Sequence, residues 1–305
     1  MVVGRFAPSP SGRMHLGNVF AALLSWLYAR SAGGEFLLRI EDLDPDRCRA
    51  EYAEQLRDDL RWLGIDWDRE GQKQSQRSDI YREAFTALEQ KGLLYPCYCT
   101  RGELHAASAP HAADGTPIYA GTCRALTEAE RAEKTRTPAW RIRVSDCSYG
   151  FEDGLQGYRE ENLMRECGDF IVRRSDGVYA YQLAVVVDDA LMGVTQVVRG
   201  RDLLGSTPRQ LYLYEQLGYR APEFIHVPLL LSEDGRRLSK RDRDLDLGVL
   251  RAERRAEDVI GLLACAAGLT DRPHPISANE LLQGFAPSRV RRDDCFFQQN
   301  IYSFS

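Results

Sequence analysis

Three groups of residues in this 305-residue chain have the types and spacing to do chemistry. His15, Gly17 and Asn18 follow the turn Pro8-Ser-Pro-Ser-Gly12, whose prolines and glycine forbid regular structure. They open a segment in which Val19, Leu23, Leu24 and Leu27 recur at helical spacing. A helix start offers unpaired backbone N–H groups and the positive end of a dipole, and both favour phosphate. Gly17 lets a ligand approach the backbone and His15 can donate to phosphate oxygens, so the stretch reads as a nucleotide cradle. Far downstream, Arg236-Arg-Leu-Ser-Lys-Arg241 sets Ser239 and Lys240 just after the apolar run Val227–Leu231. Cys97, Cys99 and Cys123 supply three thiolates suited to tetrahedral zinc, and His105, His111 and Tyr119 are each candidates for the fourth ligand.

These groups need elements to hold them. Val2-Val3 reads as the tail of a strand, and Glu35–Asp44 as a second strand whose far end carries Glu41 and Asp42. Ligands of open α/β sheets collect beyond the carboxyl ends of strands, where Glu41 can accept from an ammonium group. An amphipathic helix follows over 51–64, and another opens at Ser78 and closes at Lys91-Gly92. Strand, helix, strand, helix, helix predicts an α/β fold with a doubly wound parallel sheet. A helix is expected over Thr127–Lys134, with short strands around Trp140–Val144 and Asp169–Arg173. Gly177–Asp189 is predicted to be a buried strand leading into a helix, and Thr195–Leu204 another strand ending in charge. Thr207-Pro208 begins a helix that stops at Gly218, and Asp246–Gly268 reads as one helix before a polar tail.

A formal net charge of −5 does not advertise nucleic-acid binding, so RNA contact must come from local patches such as the arginines within 251–255 and 289–292. Eight dispersed cysteines do not make a secreted disulfide framework in a chain of this length. No run approaches the ~20 apolar residues that span a bilayer, and the N-terminus is no signal peptide, which points to a cytoplasmic protein without a membrane partner.

His15-Leu-Gly-Asn18 and Arg237-Leu-Ser-Lys-Arg241, in that order, resemble the HIGH and KMSKS signatures of class I aminoacyl-tRNA synthetases. Pro8–Gly12 has the form of the glutamyl/glutaminyl branch, and the resemblance covers nearly the whole chain, weakly after about residue 270. It implies a nucleotide-binding fold in two halves, 1–96 and 176–245, separated by a connective insertion, 97–175, and followed by a helical region, 246–305. In the family that insertion receives the acceptor end of tRNA. The resemblance makes His15, Asn18 and Lys240 catalytic and assigns ATP to His15, Gly17, Asn18, Ser239 and Lys240, with Mg²⁺ bridging the phosphate oxygens. It assigns glutamate to Arg5, Ala7, Ser9, Glu41, Tyr181 and Arg199, the last forking onto a carboxylate.

Tyr119-Ala-Gly-Thr-Cys123 matches the Tyr-x-x-x-Cys of the glutamyl-queuosine subfamily, which implies a structural Zn²⁺ held by Cys97, Cys99, Tyr119 and Cys123. The gap from Cys99 to Tyr119 is longer than usual there, as if a hairpin had been inserted. Val185 stands where full glutamyl-tRNA synthetases usually carry Asn, and about 65 residues follow Lys240 where such enzymes add a domain of roughly 150 or more. These departures imply a paralogue trimmed to its catalytic half. It would activate L-glutamate with ATP and transfer it to queuosine at the anticodon wobble position of tRNA(Asp), acting as a monomer. Two other readings stay open: a truncated glutamyl-tRNA synthetase charging the 3′ end, and a non-catalytic module that binds tRNA or a regulatory ligand.

Overall fold

The computed structural model describes residues 1–100, 102–103, 118–232, 235–236 and 246–296. Its first part contains β1 (Val3–Phe6), α1 (Leu16–Ser31), β2 (Glu35–Leu38), α2 (Ala50–Trp62), β3 (Arg69–Glu70) and α3 (Ser78–Gln90). The middle holds β4 (Leu94–Cys97), β5 (Ala139–Ile142), β6 (Ser148–Asp153), β7 (Gly157–Asn162) and β8 (Phe170–Arg173), with short helices at Glu128–Ala132 and Leu163–Glu166. Then come α4 (Tyr181–Leu191), β9 (Gln196–Gly200), α5 (Thr207–Leu217), β10 (Glu223–Val227) and β11 (Leu230–Leu231). After Asp246 follow α6 (Leu247–Glu253), α7 (Ala256–Ala266), α8 (Ala278–Gln283) and β12 (Cys295–Phe296).

β1, β2 and β3 pair in parallel, as do β9 and β10. The two pieces meet where the Thr195 amide donates to the Val3 carbonyl at 3.0 Å and the Val3 amide donates to Thr195 Oγ1 at 2.8 Å. Alternation along the strands sends successive side chains to opposite faces. Phe36, Leu38, Val198 and Ile225 enter one apolar cluster with α1 and α2, while Leu37, Val197 and Phe224 enter a second with α3, α4 and α5. Helices therefore cover both faces, as a doubly wound sheet requires. Gly4 matters here, because a Cβ on it would lie 2.8 Å from the Ala29 Cβ and push α1 off the sheet.

The connecting segment is antiparallel. β4, β5 and β8 form a three-stranded sheet, and β6 and β7 a hairpin. β4 spans the expected boundary at residue 97. Among the described residues, no helix is long and apolar enough to cross a membrane.

Several expectations fail. The strands expected over Glu35–Asp44 and Thr195–Leu204 end at Leu38 and Gly200, and the second runs into a 3-10 helix at Arg201–Ser206. The strand predicted within Gly177–Asp189 is absent: Tyr181–Leu191 is helical throughout. Leu183 to Asp189 are all buried, so apolar residues surround the helix and periodicity cannot distinguish it from a central strand. The single helix expected over Asp246–Gly268 is two, α6 and α7, broken where Arg254 and Arg255 are extended. The expected polar tail contains α8, begun by a capping box in which Ser277 and Glu280 bond each other's amides.

Candidate active site

β1 delivers Arg5 and then the turn that leads to His15, the N-cap of α1. The imidazole closes the helix start itself: Nδ1 accepts from the Gly17 amide at 3.1 Å, and Asn18 Oδ1 accepts from the His15 amide at 3.3 Å. The Asn18 and Val19 amides donate to the His15 carbonyl. The amides at 17–19 are thus not the open phosphate donors that the helix start suggested. With Nδ1 accepting, a neutral His15 carries its proton on Nε2. Gly17 suits this geometry, since a Cβ there would sit 3.0 Å from the His15 Cε1 and crowd the ring.

A cavity of about 540 Å³ opens over the carboxyl ends of β1 and β9 and is lined by Arg5, Ala7, His15, Gly17, Asn18, Glu41, Tyr181 and Arg199. Segments far apart in sequence therefore converge on one space. Ser9 is exposed and does not line it. Ser239 and Lys240 lie outside the described residues, but the chain on either side of them is placed: Leu230 lines the cavity, Asp246 forms an antiparallel bridge with His15, and the Leu247 amide donates to the Met14 carbonyl at 3.0 Å.

Behind the cavity runs a buried ion network. Arg39, wholly buried, donates to Asp189 at 2.6 Å and to Glu41 at 2.9 Å, and its Nε lies 3.8 Å from Asp188. Asp188 also accepts from Gln74, Arg77 and Tyr81. Asp188 and Asp189 sit at the end of α4, where the helix turns both carboxylates toward the sheet. Burial raises the Glu41 pKa and is only partly offset by Arg39. For Asp189 the balance reverses, as Arg39 and Arg5 outweigh burial and lower it. The signal for this network is visible in sequence only as acids ending an apolar run and as Arg39 two residues from Glu41.

The two cavity guanidiniums differ in what they can offer. Among the described residues, Arg199 has four of its five N–H donors engaged: Nε to His226 Nε2, Nη1 to Gln210 Oε1, and Nη2 to both Thr207 Oγ1 and the Leu203 carbonyl. One N–H remains, so the fork expected of Arg199 is not available to it here. Among the described residues, Arg5 donates a single hydrogen bond, Nη1 to the Val198 carbonyl at 3.2 Å, with its Nε 3.5 Å from Asp189. Arg5 is therefore the guanidinium with paired donors to spare.

About the Cys-x-Cys turn a second cluster forms. The Sγ atoms of Cys97, Cys99 and Cys123 lie within 4.8 Å of one another. Cys99 Sγ is 3.6 Å from Cys123 Sγ, and the Tyr119 hydroxyl lies 3.5 Å from Cys97 Sγ and 3.9 Å from Cys99 Sγ. Zinc bonds of about 2.3 Å to sulfur and about 2.0 Å to oxygen give tetrahedral edges of about 3.5–3.8 Å, which the Cys99–Cys123 and Tyr119–Cys97 separations match. Arg141 donates from Nε to Cys97 Sγ at 3.3 Å and stacks its guanidinium 3.8 Å from the Tyr119 ring centroid. Burial pushes the Cys97 thiol up, but Tyr119 and Arg141 outweigh it and hold the pKa below the ordinary value. Burial and the neighbouring Cys97 push Cys99 up to about 12. His105 and His111 lie outside the described residues.

A family model described as tRNA synthetases class I (E and Q), catalytic domain, matches residues 1–259. The chain belongs to this family. A class I synthetase of this branch is a ligase, and its curated relatives carry a consistent name. Glutamyl-Q tRNA(Asp) synthetase of Symbiobacterium thermophilum is 50% identical over 308 residues, covering 96% of this chain and 95% of the relative. The protein of that name from Nitratidesulfovibrio vulgaris is 53% identical over 283 residues, covering 88% and 87%. Among solved structures, a glutamate tRNA ligase from Elizabethkingia meningosepticum in complex with its amino acid is similar at a TM-score of 0.82 and 30% identity, over 99% of this chain and 68% of that one.

Proposed function

We propose that this class I synthetase activates L-glutamate with ATP and transfers the glutamyl group to queuosine at the wobble position of tRNA(Asp). One observation carries the amino-acid half of this reading. The cavity wall presents two guanidiniums, Arg5 and Arg199, and two carboxylates, Glu41 and Asp202. Arg5, Arg199 and Glu41 together complement a ligand with two carboxylates and one ammonium, which describes glutamate. Tyr181, at the start of α4, supplies a ring and hydroxyl beside them. Glutamine lacks the second negative charge and would leave a buried guanidinium without its counter-ion.

Activation asks for positioning and charge stabilisation. A carboxylate oxygen of glutamate attacks the α-phosphorus of ATP, and the bond to pyrophosphate breaks with its electrons leaving on the pyrophosphate oxygen. His15, with Nε2 as its donor side, and Asn18 would hold the nucleotide. Ser239 and Lys240 would meet the pyrophosphate, where Mg²⁺ accompanies ATP. The attachment of the chain at Leu230 and at Asp246 to the cavity rim supports that assignment. The queuosine acceptor rests on the relatives' shared name. We read 1–96 and 176–245 as the halves of the catalytic unit, 97–175 as its insertion and 246–305 as an appended region. Glutamate-dependent ATP–pyrophosphate exchange tests activation. Radiolabelled glutamate offered to tRNA(Asp) with and without queuosine tests the acceptor, and label persisting on queuosine-free tRNA would sink it.

The insertion fits zinc by its donor set and separations, with Cys97, Cys99, Tyr119 and Cys123 as ligands and Arg141 compensating their negative charge. Such a zinc ties the β4 turn to the loop at 119–123 and contributes folding energy. Purified protein is expected to contain stoichiometric zinc. Cys97→Ser is expected to weaken binding by about a hundredfold or more and to lower the thermal midpoint. Undiminished zinc in that variant, measured by elemental analysis, refutes the ligand set.

A further inference from the structure

Behind Arg199 lies a buried pair that the reading above does not use. Asp153 ends β6, His226 lies within β10 and Arg199 within β9, so three strands contribute to one contact line. Their relative exposures are 2%, 0% and 5%, low enough to exclude a solvated role. Asp153 Oδ1 accepts from the amides of Leu155, Gln156 and His226, while its Oδ2 lies 2.5 Å from His226 Nδ1. His226 Nε2 lies 3.0 Å from Arg199 Nε. A guanidinium has no acceptor, so Nε2 must accept and the imidazole's proton must sit on Nδ1, donated to Asp153. Burial and the Arg199 charge hold the His226 pKa down to about 4, which keeps the ring neutral. On its other side Arg199 Nη1 donates to Gln210, whose amide donates to Gln182, whose amide donates to Ser206. His226 Nε2 also lies 3.3 Å from Thr207 Oγ1, which accepts from Arg199 Nη2 and can turn its own proton toward Nε2.

We propose that Asp153 and His226 are positioning residues: Asp153 selects the imidazole tautomer, and the imidazole fixes the Arg199 guanidinium so that its one remaining N–H is aimed at a carboxylate of the substrate. The proposal rests on the glutamate reading of the cavity. It differs from a packing role in depending on where one proton sits. Among the described residues Arg199 keeps one unengaged N–H for the cavity, so a rotation of its plane leaves no second donor to substitute.

Asp153→Asn isolates the proton. Its Oδ1 can keep the three amide contacts, but its amide nitrogen would donate to His226 Nδ1. That forces the proton onto Nε2, where it faces the Arg199 Nε–H, and the guanidinium must turn. In pyrophosphate exchange the glutamate KM is expected to rise about tenfold or more while the ATP KM stays within about twofold. Nitrogen-15 spectra of labelled histidine should show the His226 ring exchange its protonated nitrogen. Adding His226→Gln to Asp153→Asn should return the glutamate KM toward the wild-type value, because the glutamine oxygen accepts from Arg199 without tautomer choice. A folded Asp153→Asn protein whose glutamate KM matches wild type overturns the proposal and leaves the glutamate reading intact. Wild-type protein without glutamate-dependent exchange overturns that reading and the proposal with it. Should Asp153→Asn fail to fold, equal glutamate KM values for His226→Gln and His226→Leu overturn the proposal.

Discussion

Replacing Arg5 by glutamine is expected to lower kcat/KM for glutamate by about two to three orders of magnitude, with the ATP KM changed by less than about twofold. Among the described residues, Arg5 has one hydrogen bond, to the Val198 carbonyl, and its Nε has no hydrogen-bond partner at all. Nε sits buried 3.5 Å from Asp189, while Arg5 lines the cavity and has terminal N–H groups with no partner among the described residues. A carboxylate entering this space therefore finds its two-pronged partner in Arg5, and the loss of a charge-assisted fork in a desolvated site is costly. Arg5→Lys keeps the charge without the fork and should fall between the two. Stability should change little by comparison, because Asp189 keeps its 2.6 Å bond from Arg39. Steady-state exchange kinetics with glutamate and glutamine read the result. A narrowed preference for glutamate makes the side-chain carboxylate the partner of Arg5, and an unchanged preference makes it the α-carboxylate. Unaltered kcat/KM removes Arg5 from the site.

How much of this was legible beforehand depends on whether the signal was local. The start of α1 was, because a proline turn followed by apolar residues at spacings of three and four has one physical solution. Cys97, Cys99, Tyr119 and Cys123 were, because donor types and a motif placed them, and the structure gathers them. The segment around Val185 was not. Three consecutive valines favour a strand by propensity, yet packing on both sides stabilises a helix that turns Asp188 and Asp189 onto Arg39. Nor could spacing show that His15 would use its Nδ1 to cap its own helix, or that Arg199 would have its donors taken by residues 203–226. Those are facts of three-dimensional hydrogen-bond accounting, and under the proposed function they shift the phosphate grip toward side chains and the carboxylate fork toward Arg5. The capping box at Ser277 and Glu280 is a local signal too, a Ser-x-x-Glu spacing just before Leu281 and Leu282.

Removing Arg39 should have the largest effect on the fold. Arg39→Met leaves Glu41 without its guanidinium and Asp189 with only Arg5 at 3.5 Å, whereas Asp188 keeps Arg77 at 2.7 Å. Breaking a buried ion pair on one side costs about 3–5 kcal/mol, a large share of the 5–15 kcal/mol typical of a domain. Urea denaturation at pH 7 reads the loss, and adding Asp189→Asn should restore part of it by deleting one uncompensated carboxylate. The pH dependence has a definite sign. Glu41 already sits above the ordinary carboxylate range because of burial, and losing Arg39 raises it further. A carboxyl group with a raised folded-state pKa contributes stability below its unfolded pKa and loses it as pH rises through the folded one. The deficit of Arg39→Met should therefore shrink as the pH falls from 7 toward the unfolded carboxylate range, through protonation of Glu41. If the deficit grows on acidification instead, Glu41 is not the uncompensated charge and the ion network behind the cavity has been misassigned.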